Sequence, residues 1–367
     1  MIPCSINGSG GPSSTGRRAR GTRPACSAGC RRGSAGLVGF QAAAWSATDP
    51  ETGLITAPMR VENLGSGDQC FTYWECAILE ETVIPFRELA RAAVPAAGLA
   101  ASTGGLPARS AQYRKLLGRQ GVGDELRAVL RAGGRPWGVV SLFRDKGRPP
   151  FNPAEISLVA DLSAPLGDRL RELARPVRTP APGREQDPGL ILFDPSGTPI
   201  SINDEARHHL ERLPDGPSTP SPLGPALPVW LVGTAAQARA VAAGHDRGAA
   251  RIRIRTRDGQ WLVCHASCTD GPGGAPGPTA VVVQPAAGSD MAPVIAQAYG
   301  LSARELEITQ LVARGLTTGG IAAELVISPH TVRDHVKAVF AKTGVSSRGE
   351  LVARLFAENY WPRRAGA

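Results

Sequence analysis

The chain has 367 residues, of which 42% are hydrophobic and 20% charged, a composition typical of globular domains. It contains no run of 18 apolar residues and no apolar N-terminal signal segment, so neither a membrane-spanning nor a secreted protein is expected, and a cytoplasmic one is predicted. Seven cysteines in so long a chain do not indicate a disulfide framework. The length favours two or three domains.

The positive charge is unevenly distributed along the chain. The net charge is +9, yet residues 1–36 alone carry six arginines and no acidic residue. Residues 291–367 carry nine basic and six acidic groups, a local excess of only +3. The overall basicity therefore supports a polyanionic partner only weakly, and the functional argument depends on the C-terminal pattern.

Both chain ends are predicted to lack a core of their own. Residues 1–36 are mostly Gly, Ser, Arg and Pro, so they bury too little apolar surface to offset ordering entropy and are expected to form a disordered basic tail. A basic arm that contacts phosphate is the alternative interpretation. Residues 361–367 are a second short tail.

Residues 37–173 are predicted to form an α+β domain. Strands are expected around 38–45 and from Leu54, helices around 82–94 and 109–118, a strand at Trp137–Phe143, and a long helix that begins at Pro153. The stretch contains five distinctive motifs: Trp45, Asp49-Pro50-Glu51-Thr52-Gly53, Asp124-Glu125-Leu126-Arg127, Trp137-Gly138 and Phe151-Asn152-Pro153-Ala154-Glu155. With these motifs it resembles a GAF domain, which implies a central antiparallel sheet with helices on both sides and a sensing role.

After a linker at 174–188, residues 189–285 are predicted to form a second sheet domain. Gly189–Asp194 and Ile200–Asn203 read as strand, turn and strand, and a Pro-rich loop follows a short helix. Arg251–Arg257 alternates Arg with Ile or Thr, which predicts a strand with one solvent-exposed face. The opening strands and the three closing strands resemble a reduced PAS-like domain. Residues 286–296 are predicted to be a second linker.

Residues 297–360 are predicted to be all-α, with four helices. Ser302 with Glu305 and Ser347 with Glu350 form capping boxes for the first and fourth helices. The second helix is expected to start near Thr317. Ser328 followed by Pro329 begins the third, which is expected to run to about Thr343 and to stop at Gly344. The second and third helices are joined by only three residues, which is typical of a helix-turn-helix.

Helical spacing assigns opposite faces to the third helix, which would be the recognition helix. Val332, Val336, Val339 and Thr343 share the face that must pack inward. The opposite face carries polar groups suited to a DNA major groove, and the flank suits phosphates. These outward and flanking residues are His330, Arg333, Asp334, Lys337 and Ala341, with Thr331, His335 and Lys342.

Six short motifs recur along this segment: Leu301-Ser302-Ala303-Arg304-Glu305, Leu311–Gly315, Ile321-Ala322, Ser328–Val336, Lys342–Val345 and Ser347-Arg348. With these motifs the segment resembles the LuxR/FixJ helix-turn-helix module. The resemblance implies base contacts from Arg333, Asp334 and Lys337, and phosphate contacts from Thr331, His335, Lys342 and Arg348, with Ser328 and Val332 as further DNA-contact candidates. It also implies dimerisation through the fourth helix, with Leu351 and Leu355 as interface candidates.

One departure from the family pattern lies in the second helix. The family usually has Lys-Glu directly before Ile321-Ala322, whereas this chain has Gly319 and Gly320. Each glycine costs about 0.5–1 kcal/mol relative to alanine in a helix. A less stable second helix and weaker DNA affinity are therefore expected, with DNA binding still favoured.

Several residues allow a second interpretation. Arg333 and Lys337 could be only a solvated helix face, and Asp334 could orient one of them rather than accept from cytosine. Cys264-His265-x-x-Cys268 resembles a metal motif, but it lies on one predicted strand, and core cysteines with a surface histidine are favoured. Trp45 and Trp137 could line a ligand pocket, although core packing is the commoner role.

The sequence thus predicts a LuxR-type transcription regulator. GAF-like and PAS-like domains would sense a small ligand or protein, and the C-terminal module would bind double-stranded promoter DNA as a homodimer, with RNA polymerase a further candidate partner. No catalytic motif is found, so no enzyme, cofactor, metal or membrane partner is predicted. The alternative is a signalling or protein-interaction module whose helix-turn-helix has lost DNA binding.

Overall fold

The computed structural model describes residues 38–64, 67–79, 82–175 and 187–357, without the side chains of 67–71, 272, 288, 356 and 357. Both predicted tails, 1–36 and 361–367, lie outside the described residues, as does most of the linker predicted at 174–188. Within those ranges, none of the helices is both long and apolar enough to span a membrane.

The first region is a five-stranded antiparallel sheet with the order β2-β1-β5-β4-β3. Gly133 and Gly134, both at positive φ, form the tight turn between the two long strands β4 and β5. The strands are β1 (Ala42–Thr48), β2 (Ile55–Glu62), β3 (Ala96–Gly98), β4 (Val122–Ala132) and β5 (Arg135–Asp145).

The helices of this region differ from the predicted ones. The helix predicted from Pro153 is divided at Leu162, because Pro165 has no amide proton with which to continue the helical hydrogen bonds. The helix predicted at 82–94 is reduced to four residues and the one at 109–118 to short turns, and a helix at 67–79 was not foreseen. The helices are α1 (Gly67–Leu79), α2 (Phe86–Leu89), α3 (Leu99–Ser102), α4 (Pro153–Asp161) and α5 (Ser163–Leu173), with turns at Pro107–Arg109 and Tyr113–Leu117.

The second region repeats the strand order of the first. Its antiparallel sheet has the strand order β7-β6-β12-β11-β10. When the five strands of each sheet are numbered separately in chain order, both sheets have the order 2-1-5-4-3. Asp258 and Gly259 lie in the hairpin turn between Arg255 and Trp261, where Gly259 has a positive φ. The strands are β6 (Gly189–Phe193), β7 (Pro199–Ile202), β10 (Arg251–Arg255), β11 (Trp261–Asp270) and β12 (Pro276–Pro285), with a small pair β8 (Ser218–Thr219) and β9 (Leu227–Pro228) and a helix α6 (Asp204–Glu211).

A buried helix lies between the two regions. The loop predicted after α6 contains α7 (Val229–Ala242), of which eleven residues are buried, including Trp230 and Gln237. Because α7 is covered on nearly every side, its sequence has no polar stripe. The helix therefore could not be predicted from a helical repeat of polar and apolar residues. Residues from both sheets share one hydrophobic cluster with α7, so the two regions form one continuous core.

The prediction that one face of the arginine-rich strand β10 is exposed to solvent is wrong at the centre of the strand. Arg253 is only 1% exposed, because its guanidinium forms an ion pair with the fully buried Asp49 of the first region. Arginine in an alternating strand pattern cannot by itself distinguish solvent from a partner carboxylate in another domain.

Among the described C-terminal residues, four helices lie in the segment predicted to be all-α, and one more helix precedes them. The predicted linker 286–296 is largely the helix α8 (Gly288–Ala298). Met291, Val294, Ile295 and Ala298 are buried in one cluster with the following helices and with Trp137 of the first region. The helices that follow α8 are α9 (Ala303–Ala313), α10 (Thr318–Leu325), α11 (Pro329–Thr343) and α12 (Arg348–Val352). A wider turn at Ala353–Ala357 continues α12.

Candidate nucleic-acid interface

Side-chain caps fix the ends of the four helices that follow α8. Ser302 and Glu305 form the predicted capping box of α9, and Thr317 accepts a hydrogen bond from the Gly320 amide. Ser328 accepts from the Thr331 amide at the start of α11. Gly344, with φ 67°, ends α11 in the left-handed conformation that glycine adopts without a Cβ clash. The predicted Ser302–Glu305 capping box and the Ser328 cap are confirmed. At the start of α12, Ser347 accepts from the Glu350 amide, but Glu350 accepts from the amide of Ser346 rather than from that of Ser347, so the second predicted capping box is only half formed.

The turn between α10 and α11 is tight and strained. Val326 has φ 53°, an uncommon backbone conformation for a β-branched residue. Its side chain is 89% exposed, whereas Ile327 turns inward against the core. Arg304 donates to the carbonyl oxygen of Leu325 at 3.0 Å, which satisfies a free carbonyl at the end of α10. The short connection therefore holds α11 at a defined angle to α10.

The predicted inward face of α11 is confirmed. Val332, Val339 and Thr343 are buried, and Val336 packs against the same cluster. Val332 was also a DNA-contact candidate, and that assignment is wrong for its side chain, because burial in the core leaves it no path to a ligand. The inward face thus anchors the helix and leaves the opposite face for contacts with a partner.

The opposite face of α11 is exposed to solvent. Arg333 and Lys337, one turn apart, are both exposed. Asp334 is exposed as well, and its carboxylate lies 2.9 Å from His330 Nδ1 rather than on Arg333 or Lys337. Ser328 is also exposed, and the flanking Thr331 and His335 are half-buried. The helix therefore presents two cationic groups, and the one nearby carboxylate is paired with a histidine.

Two other residues that were predicted to contact phosphate form bonds within the C-terminal unit and hold it together. Lys342 forms an ion pair with Glu305 at 2.6 Å, which ties the end of α11 to the start of α9. Arg348 donates to the Leu316 carbonyl at 2.9 Å and to Thr318 Oγ1 at 2.8 Å. Both side chains already have internal partners, so they are less available to phosphate than Arg333 and Lys337.

The two leucines predicted at a dimer interface are buried within the chain itself. Leu351 is 1% and Leu355 is 2% exposed, and both belong to the cluster that includes α8 and α9. Their prediction as interface residues is wrong for this structure, because α8, which was taken for a linker, lies against this part of the chain. The apolar spacing of Met291, Val294, Ile295 and Ala298 is the sequence signal that could have revealed it.

The other candidate sites have structural partners. Cys264 is fully buried, which raises the pKa of its thiol to about 12, and the side chain of the adjacent His265 points to the opposite face of β11. In the part of the chain that the structure describes, His, Cys, Asp and Glu form no group of three that could hold a metal. Trp137 is buried, and its indole donates to the Ala132 carbonyl.

A family model for bacterial regulatory proteins of the luxR family matches residues 300–355. The spore germination protein GerE of Bacillus subtilis is 42% identical over 55 residues, 15% of this chain and 74% of that protein. The probable transcriptional regulatory protein NarL of Mycobacterium tuberculosis is 47% identical over 53 residues, and the match covers 14% of this chain and 24% of that relative. The residues that the family model matches include the helices α9 to α12.

Solved structures give weaker likenesses over larger shares of the chain. The phage VqmA–DPO complex matches 47% of this chain and 81% of that one, at 20% identity and a TM-score of 0.21. The Escherichia coli DhaR(N)–DhaL complex matches 71% of this chain and 85% of that one, at 13% identity and a TM-score of 0.24. At such scores neither likeness bears on the function of this chain.

Proposed function

Since the chain belongs to the luxR family of bacterial regulatory proteins through residues 300–355, we propose that it is a transcription regulator that binds double-stranded promoter DNA. The observation that supports this proposal most directly is the orientation of α11. Val332 and Val339 are buried in the core, while Arg333 and Lys337 face solvent on the opposite side. A helix of this kind fits a major groove, where arginine reads guanine O6 and N7.

In this proposal, Arg333 and Lys337 contact base edges or phosphates, and Ser328, Thr331 and His335 contact the flanking backbone. Asp334 accepts from cytosine N4 or helps to orient a neighbouring group, with His330 as its partner on the same helix. Lys342 and Arg348 support the unit through Glu305 and Thr318 and contribute to DNA binding mainly by positioning α11.

We further propose that the two sheet regions sense a small ligand or a protein and control the C-terminal unit. Their shared strand order, a central antiparallel sheet and flanking helices are consistent with the GAF-like and PAS-like resemblances. Homodimerisation on DNA remains part of the proposal, through a surface other than Leu351 and Leu355. RNA polymerase is the proposed partner at the promoter.

Selection of bound duplexes from a random pool tests the proposal. The full chain should enrich a defined sequence and bind it with an affinity that falls steeply as salt increases, because each phosphate contact releases counterions. The variant Arg333→Ala/Lys337→Ala should lose this binding. The double variant Arg119→Ala/Arg148→Ala is the control, because it removes the same charge from exposed sites elsewhere.

The alternative, a protein-interaction module that no longer reads DNA, is favoured by one observation. Gly319 and Gly320 occupy the first turn of α10, where they lower helix stability and leave the Thr317 cap without a reciprocating acid. This alternative predicts that the selection enriches no sequence and that the purified chain retains a protein partner.

A further inference from the structure

One guanidinium joins the three parts of this molecule. Arg253, on β10 of the second sheet, donates from Nη1 to both carboxylate oxygens of Asp49, at 3.0 and 2.9 Å. Its Nη2 lies 2.5 Å from Glu51 Oε2, in the same turn of the first region. Its Nε donates to the backbone carbonyl of Asp290, in the first turn of α8. We call Asp49, Glu51, Arg253 and the Asp290 carbonyl the Arg253 joint.

Most of the bonds of the Arg253 joint connect the two sheet regions. Asp49 and Arg253 are fully buried as a pair, and the Asp49 carboxylate also accepts from the backbone amides of Arg253 and Glu51. Burial opposes ionisation of Glu51, but hydrogen bonds and ion pairs with Arg253 and Arg251 outweigh it and lower its pKa. A planar guanidinium is required, because its fork reaches the two carboxylates and the carbonyl at once.

The joint contacts α8 through a single hydrogen bond, which Arg253 donates to the Asp290 carbonyl. Along its length, α8 packs Met291, Val294 and Ile295 into the cluster that also holds Leu351 and Leu355. At its other end, Arg175, which follows α5, donates to the Ala298 carbonyl at 3.2 Å and stacks over Tyr299. The sheet regions therefore hold α8 at both ends, and α8 in turn packs on the helices that carry α11.

We propose that the Arg253 joint transmits the state of the two sheet regions to the C-terminal helices by holding or releasing the first turn of α8. Any shift of the Asp49–Gly53 turn relative to β10 changes the geometry of the guanidinium and with it the bond to Asp290. When the bond from Arg253 to the Asp290 carbonyl is formed, the joint fixes α8 against the C-terminal unit. When that bond is broken, α8 is released and the affinity of the C-terminal unit for its target changes. The effect on DNA rests on the proposed function, whereas the anchoring of α8 does not.

Amide hydrogen exchange of the full chain tests the joint. Arg253→Lys keeps the charge but cannot span all three acceptors, so exchange in residues 288–298 should rise about tenfold while exchange in β11 and β12 stays unchanged. Arg255→Lys is the matched control on the same strand, because Arg255 donates only to Gly259 in its own hairpin among the described residues. Affinity for a selected duplex should change by at least about fivefold in Arg253→Lys and not in the control.

A second variant keeps the test decisive if Arg253→Lys unfolds globally. Asp49→Asn/Arg253→Met removes both buried charges while the amide oxygen at position 49 can still accept the turn hydrogen bonds, so the sheets should fold. Faster exchange in 288–298 with a changed duplex affinity supports the proposal. Exchange equal to that of the Arg255→Lys control, or faster exchange with unchanged affinity, overturns it. Failure of the proposed function would differ, because the unmodified chain would then bind no duplex.

Discussion

Lys342 Nζ lies 2.6 Å from Glu305 Oε2 and joins the last turn of α11 to the first turn of α9. The same carboxylate oxygen accepts from the backbone amide of Ser302, so one side chain caps a helix and orients another. The angle at which α11 presents its outer face depends on this pair.

The pair predicts a pH dependence of stability. Burial opposes ionisation of Glu305, but Lys342 and the Ser302 amide outweigh it and hold the pKa below its ordinary value of 4.5. A lowered folded-state pKa means that the carboxylate stabilises the fold above pH 4.5 and that this contribution is lost as the pH falls through the lowered value. Glu305→Gln should therefore unfold more easily than wild type at pH 7, by about 1–2 kcal/mol.

Denaturant unfolding at pH 7, 5 and 3 checks this prediction. The difference between wild type and Glu305→Gln should shrink as the pH falls below 4.5. Glu307→Gln is the control, because Glu307 forms only a partly exposed ion pair with Arg304. A difference that stays constant across this pH range would refute the assignment.

The glycines of α10 predict a gain in stability. Neither has a positive φ, and a Cβ at Gly319 or Gly320 would meet no atom closer than 3.5 Å. Gly319→Ala/Gly320→Ala should therefore stabilise the C-terminal unit by about 1–2 kcal/mol without weakening duplex binding. Thermal unfolding measures the gain. Gly344→Ala is the contrasting variant, which should destabilise because Gly344 has a φ of 67°; an unchanged or lower melting temperature in the double variant would contradict the prediction.

Val326 predicts the removal of backbone strain. It combines a left-handed φ of 53° with an exposed side chain, so replacing it loses little buried surface. Val326→Gly should raise stability by about 1 kcal/mol, measured by chemical denaturation. Val326→Ala keeps the Cβ and serves as the control. Equal stability of the two variants would show that the turn carries no strain of this kind.

A buried network in the first region predicts a large loss. Arg127 donates to Glu125 at 2.8 Å and to the Ile84 carbonyl at 3.0 Å, and Tyr73 donates to the same Glu125 carboxylate. Arg127→Met leaves the Glu125 charge buried without its cation and should cost about 3–5 kcal/mol. The double variant Glu125→Gln/Arg127→Met should recover part of that loss. Unfolding of the full chain measures both, and a loss below about 1 kcal/mol would contradict the role assigned to the network.

The sequence predicted best what is set locally. Ser302, Ser328 and Gly344 act through neighbours within four residues, so the ends of α9 and α11 follow from the residue types. The inward face of α11 also follows, since helical period alone places Val332 and Val339 together. The outward exposure of Arg333 and Lys337 is the complement of that pattern.

What the sequence could not predict depends on contacts distant along the chain. Arg253 is buried because Asp49, 204 positions earlier, lies opposite it. Leu351 and Leu355 look like interface residues until α8 is placed against them. Trp230 belongs to α7, which is buried by both sheets and has no polar side. Its sequence therefore lacks the helical repeat of polar and apolar residues from which a helix is predicted.

Binding of the full chain to its selected duplex, measured with Arg333→Ala/Lys337→Ala beside Arg119→Ala/Arg148→Ala, tests the central claim most directly. The account predicts salt-sensitive binding by wild type and by the control variant, and a loss of at least about tenfold in the variant of α11. Equal affinities of the two double variants for the duplex would contradict the account, because the exposed face of α11 would then have no part in DNA recognition.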